Sequence, residues 1–598
     1  MNNCQTDPHY LAKLKSIEHK NSLAHSSAVL SISMLQAYTQ DDSFIKDQEN
    51  LEWVSHTNLW GKFNCTASLG LIHQGTKLPP LEVFKKYLHE QNPDGKEPFL
   101  VGGAMFGLGL LTAGKKVEEV INYCLWVIDN PTMNTKEPIV HGACLCLGLA
   151  GFASADLIIY EKLKNILDTD TAVTSQAAAL AIGLVMASTN SEEVLADLLG
   201  FESGHDKINN AICQAIALVT LGKPSSTLVS GLSNSQTIKR AIPLHLAAAH
   251  FGTSNSKAVK QLLALSSDIS NEIKRTAVIC LGFVLHNNPE LLGLMKMMSS
   301  SYNPHIRYGL CLALAVGGPL EQGEAIADLI WPFFTDTTEF VRQAAFLAIA
   351  MLALNGALSA TRVADFRKLI DTVLAKKHED VLVRMGVILS VGILDAGGRN
   401  MKISLRSSTG NNDFALAAML VFTDFWHWYP LINFLGLALS PTVLIGIDSD
   451  FRIPLSFNWK CQAKPSTFSY PAMIQKAERK EEKKSTLVEL STARRVQSKA
   501  FQKKDSLMEI EPPKEKDEKE KDEPSTYLMK NASRVLDKQT RFITWVDNRF
   551  IPLIRDKRQG IIFLKDTQPG VEEQYLGLPA DPPKPAPAPP AEGTQMPE

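Results

Sequence analysis

The chain has 598 residues, of which 45% are hydrophobic and 21% charged, with 61 Lys+Arg against 63 Asp+Glu. That balance is ordinary for a folded protein and leaves no general electrostatic case for nucleic acid, which calls for a basic face. No C-x-x-C pair occurs among the nine cysteines, and Cys144, Cys146, Cys213, Cys280 and Cys311 sit inside apolar segments, so buried free thiols are expected in place of disulfides or zinc.

Met1 to Tyr10 is polar and has no apolar signal-peptide core. Residues 1–60 read as N-terminal helices, with helical spacing at Leu23, Val29, Leu30, Met34 and Leu35. They read as the remnant of a longer helical region, because the array that follows has no capping sequence before it.

Between Leu69 and Gly392 one pattern returns ten times: small residues, a bulky apolar pair, Gly or Ala, more apolar residues, then a polar stop. Gly70, Gly109, Gly148 and Gly183 mark it at intervals of 39, 39 and 35 residues. That period belongs to helical-repeat arrays. Each unit pairs a Gly/Ala-rich helix with a longer amphipathic one, such as Val117 to Leu125. Small residues let helix backbones approach closely, and a tight inner layer within a bulkier outer layer curves the array. The expected fold is therefore mainly α: a closed toroidal α-solenoid of about ten helix pairs over residues 61–400. Later units place an arginine before the small helix (Arg275, Arg307, Arg342, Arg384), which reads as pairing between repeats more readily than as an anion ladder.

Asp395 to Asn400 ends the pattern with a glycine stop. Residues 401–471 hold an apolar helix region and the first part of a small β-containing domain. Within it, Phe414 to Ile447 is interrupted by Pro430 and Pro441 and carries its Trp residues mid-segment, so it reads as a buried helix hairpin and not as a membrane span. Asp413 to Tyr429 is expected to be a helix buried on every side, and Thr442 to Ile447 and Phe451 to Trp459 read as strands. Residues 472–530 form a Lys/Glu-rich linker whose composition cannot bury a core. The domain resumes over 531–570, where Gly560 to Lys565 should pair with the earlier strands, since one short strand is not stable alone. Residues 571–598 are a Pro-rich tail.

No catalytic constellation, cofactor site or metal site emerges. Gly109 to Lys116 fits G-x-x-x-x-G-K, but Lys116 stands where a magnesium-binding hydroxyl belongs and no strand precedes it. His245 and His250 are five apart, not the four of a zinc helix.

The repeat resembles the proteasome/cyclosome repeat family. The stretches Ile393 to Asn400, Leu420 to Leu431, Lys464 to Pro471 and Gly560 to Asp566 resemble the larger of the two non-ATPase scaffold subunits in the base of the 26S proteasome regulatory particle. The resemblance runs from about Phe44 to Asp566. It implies a non-enzymatic scaffold for ubiquitin-dependent degradation in cytoplasm and nucleus, with ATPase-ring subunits, lid subunits including the deubiquitinase module, and a ubiquitin receptor as partners. It implies no nucleic-acid or membrane partner. The family's N-terminal rod has no counterpart in this sequence, which therefore reads as starting inside a longer architecture. In the family the C-terminal tail docks the receptor through aromatic anchors. Pro582 to Glu598 contains no aromatic residue, so Tyr575, Leu576, Pro582 and Pro583 are the candidate docking residues. The alternative function is a helical-repeat adaptor of another large assembly: the anaphase-promoting complex, a coat or a transport system.

Overall fold

The computed structural model of the chain describes residues 6–17, 22–46, 59–88, 97–201, 203–233, 238–376, 378–407, 410–455, 458–471, 524–530, 534–554, 560–568 and 575. The linker from Lys476 to Glu523 and the tail residues Leu576, Pro582 and Pro583 lie outside them.

Among the described residues eleven helices make an inner layer: α1 (Ser22–Leu35), α2 (Leu59–Ile72), α3 (Pro98–Leu111), α4 (Glu137–Ala150), α5 (Thr174–Val185), α6 (Asp206–Val219), α7 (Ala241–Ala249), α8 (Asn271–Val284), α9 (Pro304–Gly317), α10 (Glu339–Leu354) and α11 (Val381–Leu394). Each packs on the next, and α11 packs back on α1, so the circuit of neighbours returns to its start. Their sequences explain the tight seams. A methyl group placed on Gly109 would lie 2.6 Å from Cys146 Cα, and one on Gly148 would lie 2.8 Å from Ala181 Cα. Those gaps admit hydrogen only, which is why these helices tolerate a residue costing about 1 kcal/mol in helix propensity.

An outer layer alternates with the inner one. The helix Leu157–Leu167 is representative: Asp156 caps it by accepting from the Ile158 and Ile159 amides, and it buries Ile159, Tyr160, Leu163 and Leu167 at helical spacing.

The turns joining the layers carry a second repeating device. Ala153 and Ala155 adopt left-handed backbone and donate to Leu184 O (2.9 Å) and Val185 O (3.1 Å) on the next inner helix. Ser188 and Asn190 do the same to Leu218 O and Val219 O, and Gly252 and Ser254 to Phe283 O and Val284 O. These bonds satisfy helix-terminal carbonyls that would otherwise be orphaned.

Tyr38 and Gln40, following α1, make the same double rung to Leu71 O and Ile72 O. The N-terminal segment is therefore a repeat in its own right. The expected division at residue 60 thus runs between two helices, α1 and α2, that pack on each other as neighbouring repeats do. The Gly/Ala signal is missing there because serine supplies the small residue: Gly392 on α11 faces Ser31, whose hydroxyl donates to Ile388 O at 2.5 Å.

The helix α12 (Asp413–Phe425) packs on α6 and α7 and is buried from Ala415 to Phe425. It ends four residues short of the expected Tyr429, where the chain tightens into a 3-10 turn over Tyr429–Asn433. Among the described residues one stretch, Val381–Arg399, is long and apolar enough to cross a membrane, and it is mostly buried by protein.

After α11, β1 (Met401–Ile403) pairs antiparallel with β2 (Leu439–Pro441). A smaller domain then forms from two three-stranded sheets. β3 (Leu444–Ile447) runs parallel to β8 (Gly560–Asp566), in register from Gly560 opposite Leu444 to Phe563 opposite Ile447, and β8 also pairs antiparallel with β7 (Phe550–Pro552). In the second sheet β4 (Asn458–Cys461) is flanked by β5 (Tyr527–Lys530) and β6 (Ile543–Trp545). Leu444, Trp459, Ile543, Phe550, Ile562 and Leu564 share the domain's core. The expected pairing of Gly560 to Lys565 with the strand after Thr442 is present. Of the strand expected over Phe451 to Trp459, the described part is Asn458 onward, and residues 448–452 form a turn around the Asp448 carboxylate, which accepts from the Asp450 and Arg452 amides.

Candidate interaction sites

A cluster of buried polar groups lies where α12 meets the inner layer. Asp424, in the last turn of α12, pairs with Arg240, whose Nε also donates to Thr276 Oγ1 at 3.2 Å. Both side chains are buried. Burial pulls the Arg240 pKa down, but Asp424 and Glu272 more than offset it, so the ion pair is retained. Trp426 Nε1 donates to Tyr308 Oη on α9. Phe414 packs edge-on against Phe152 at 5.0 Å, and Trp428 against Trp60 of α2 at 5.0 Å. This helix and the residues just after it thus touch widely separated repeats and fix them relative to one another. Nothing in this arrangement presents a nucleophile or an acid–base pair to solvent.

A second buried charge network ties the N-terminal helix and the first part of the β domain to the last repeat. Arg367 Nη2 lies 2.7 Å from Asp395 Oδ1, Arg399 Nε 3.1 Å from the same oxygen, and Arg399 Nη2 3.3 Å from Asp7 Oδ2. Arg399 Nη1 also donates to Pro471 O at 2.7 Å. Asp7 precedes the N-terminal helix Pro8–Lys15, and Pro471 leads out of the first part of the β domain, so one arginine clamps three parts of the chain.

The arginines before the small helices serve stacking. Arg307 grips Asp336 of the following repeat through Nε (2.8 Å) and Nη2 (3.0 Å), and Arg342 reaches Glu379 at 3.4 Å. Arg384 donates to Leu374 O and Lys376 O, and Arg275 lies over the Tyr308 ring at 5.8 Å. They are spent on carboxylates, carbonyls and an aromatic face and form no open anion ladder.

The loop that imitates a nucleotide site is a helix end. Gly109 lies within α3, Gly114 has φ +69°, and Lys115 Nζ turns back onto Leu111 O at 2.9 Å. His245 is a packing residue: its Nδ1 meets Thr220 Oγ1 at 2.7 Å and its Nε2 accepts from the Ser225 amide at 3.3 Å, while burial lowers its pKa to about 4. All eight described cysteines are buried and unpaired, and among the described residues no cluster of His, Cys, Asp and Glu could hold a metal ion.

Of the four tail residues singled out by sequence, Tyr575 is described. It bridges Pro454 in antiparallel fashion, and the Arg452 guanidinium lies 4.2 Å from its ring centre. The start of the tail is thereby fastened to the β domain. Sequence reading missed Arg240, Asp424, Asp7, Arg367, Asp395 and the outer-wall pair Tyr160 and Asp197, each of which acts through a partner distant in the chain.

Two comparisons with known proteins bear on this architecture. Residues 442–576, the β domain and the start of the tail, match the family model of the 26S proteasome regulatory subunit RPN2 C-terminal domain. The chain is 34% identical over 604 residues to 26S proteasome non-ATPase regulatory subunit 1 homolog B of Arabidopsis thaliana, which takes in 94% of this chain and 59% of that protein. It is 32% identical to regulatory subunit rpn2 of Schizosaccharomyces pombe (92% of this chain, 61% of that protein) and 33% identical to RPN2 of Saccharomyces cerevisiae (95% and 64%). The chain thus spans about three fifths of the length of these curated relatives. The likeness covers the repeats and the β domain together.

Proposed function

We propose that this RPN2-like chain is a non-catalytic scaffold in the base of the 26S proteasome regulatory particle, serving ubiquitin-dependent degradation in cytoplasm and nucleus. The observation that carries the reading is the likeness to regulatory subunits along more than nine tenths of the chain. The architecture is in keeping with it: buried charge and aromatic clusters hold the repeats rigid, and the outer wall is left for partners. We take the circuit of inner helices to be a closed toroid. The partners of this reading are ATPase-ring subunits, lid subunits including the deubiquitinase module, and a ubiquitin receptor. The receptor would dock on the tail at Tyr575, Leu576, Pro582 and Pro583, and the fastening of Tyr575 to Pro454 would hold the docking peptide at a fixed point of the β domain.

Affinity purification of the tagged chain tests the reading. ATPase-ring and lid subunits should be recovered together, and recovery of coat proteins or cargo receptors without proteasome subunits would establish the adaptor alternative. Deleting residues 571–598 should release the ubiquitin receptor and spare the other subunits. A receptor retained undiminished would place its docking site elsewhere.

A further inference from the structure

The outer wall between α3 and α6 carries large apolar side chains that are exposed. Trp126 is 43% exposed, Leu157 63% and Ile158 69%. Trp126 lies on the outer helix Glu118–Asp129 and the other two on the outer helix Leu157–Leu167. Lys162 Nζ and Asp129 Oδ1 join these helices at 2.6 Å. One turn towards the N-terminus from each member of that pair stand Trp126 and Ile158, so the salt bridge sets both on one strip of wall. Single exposed apolar residues are ordinary, whereas a cluster rimmed by charge marks an interaction site.

Beside the strip, towards the next outer helix Glu192–Gly200, lies a cleft of about 290 Å³ lined by Tyr160, Lys164, Leu167, Asp168, Asp197 and Phe201. Tyr160 Oη and Lys164 Nζ both donate to Asp197 Oδ2, each at 2.5 Å, so Oδ1 is the oxygen left for a newcomer. Those two bonds, Lys164 first, hold the Asp197 carboxyl below its ordinary pKa, and it stays charged. The surrounding field has one sign. From Lys115 to Phe201 the sequence has eleven carboxylates against five lysines and no arginine, although the whole chain is nearly neutral.

We propose that this wall is a docking surface for a basic amphipathic helix of a partner protein. The helix would lay its apolar stripe on Trp126, Leu157 and Ile158 and place a lysine or arginine in the cleft against Asp197 Oδ1 and Asp168. Helix-in-groove recognition uses this combination of apolar anchors and flanking charge. An acidic wall repels nucleic acid and anionic lipid, which leaves a basic protein segment as the occupant that its charge favours.

The test uses the full chain and two fluorescein-labelled synthetic helices of about five turns that share one leucine stripe, one carrying lysines and the other glutamates. Fluorescence anisotropy should show the basic helix binding about tenfold or more tightly than the acidic one, and binding should weaken as salt rises. Trp126→Ser combined with Ile158→Glu should cost about tenfold in affinity with an unchanged melting curve. Glu161→Lys with Glu193→Lys, both exposed, should do the same through charge alone. Ile269→Glu alters a 99% exposed isoleucine elsewhere and should change nothing. No binding, equal binding of the two helices, wild-type binding by the wall variants, or equal loss in the Ile269 variant would each overturn the proposal. None of these readouts involves proteasome subunits, so the result stands apart from the scaffold reading.

Discussion

The two halves of the array hold their repeats together differently. From α2 to α5 the seams are glycine seams: Gly109 and Gly148 each sit so close to the next helix that a methyl group would collide with its backbone. From α7 to α11 glycine seams continue, with Gly282 against Ala313 and Gly392 against Ser31, and arginine ties are added: Arg240 to Asp424, Arg307 to Asp336, Arg342 to Glu379, Arg367 to Asp395. The first device depends on shape alone and the second on charge. The earlier, glycine half should therefore fail by overpacking, and the later, arginine half also by leaving a carboxylate or a guanidinium unpaired.

The largest effect is expected at Asp424, which bonds α12 to the arginine half. Asp424→Ala leaves Arg240 buried without its counter-charge and should destabilise the chain by about 3–5 kcal/mol, read from denaturant unfolding. A variant within about 0.5 kcal/mol of wild type would mean that α12 is held by packing alone. In the glycine half, Gly148→Leu should cost about 3 kcal/mol, since overpacking a close helix contact strains both backbones. Wild-type melting would refute the close approach.

Acid should strain both halves alike, because each contains neutral buried histidines. His141 Nδ1 donates to Val173 O in the glycine half, and His286 Nδ1 donates to Val316 O in the arginine half. Burial lowers each pKa to about 4, as it does for His245. With the folded pKa below the unfolded value, the unfolded chain binds protons that the folded chain refuses. Stability is then full above about pH 6.5 and falls as pH drops towards 4, by roughly 2 kcal/mol per histidine at pH 5. Melting scans at pH 7 and pH 5 check this. A His286→Gln variant should lose part of the dependence, and an unchanged slope would exclude His286 as a source.

A smaller effect separates charge from shape. Arg307→Ala should cost about 1–2 kcal/mol, and Arg307→Lys should recover only part of it, because lysine cannot reproduce the two-pronged grip on Asp336. Full recovery would reduce the seam to a point charge. Smallest of all, Lys115→Ala should leave ATP turnover of an assembled particle unaltered, since the lysine ends a helix.

Legibility in the sequence follows the same division. The glycine seams could be read because a fixed residue type recurs at a fixed interval, as with Gly70, Gly109, Gly148 and Gly183. α1 escaped because Ser26, Ser27, Ser31 and Ser33 take over the small-residue role, and serine in a helix suggests no close packing. The charge ties escaped for a different reason. Arg240 and Asp424 are 184 positions apart, and neither stands in a motif. The outer-wall cleft is assembled from Tyr160 and Lys164 in one repeat and Asp197 in the next, so a single-repeat reading passes over it. In the β domain the pairing of β8 with β3 was accessible, because a short apolar strand needs a partner. β5 was not, since Tyr527 to Lys530 is brief and alternates weakly.

Sedimentation of native extract containing the tagged chain, with fractions assayed for peptidase activity on fluorogenic peptides, tests the scaffold account most directly. The account predicts that the chain travels with the largest peptidase peak and leaves it when the regulatory particle is dissociated from the core. A chain that sediments alone, or with a peak devoid of peptidase activity and proteasome subunits, would contradict it.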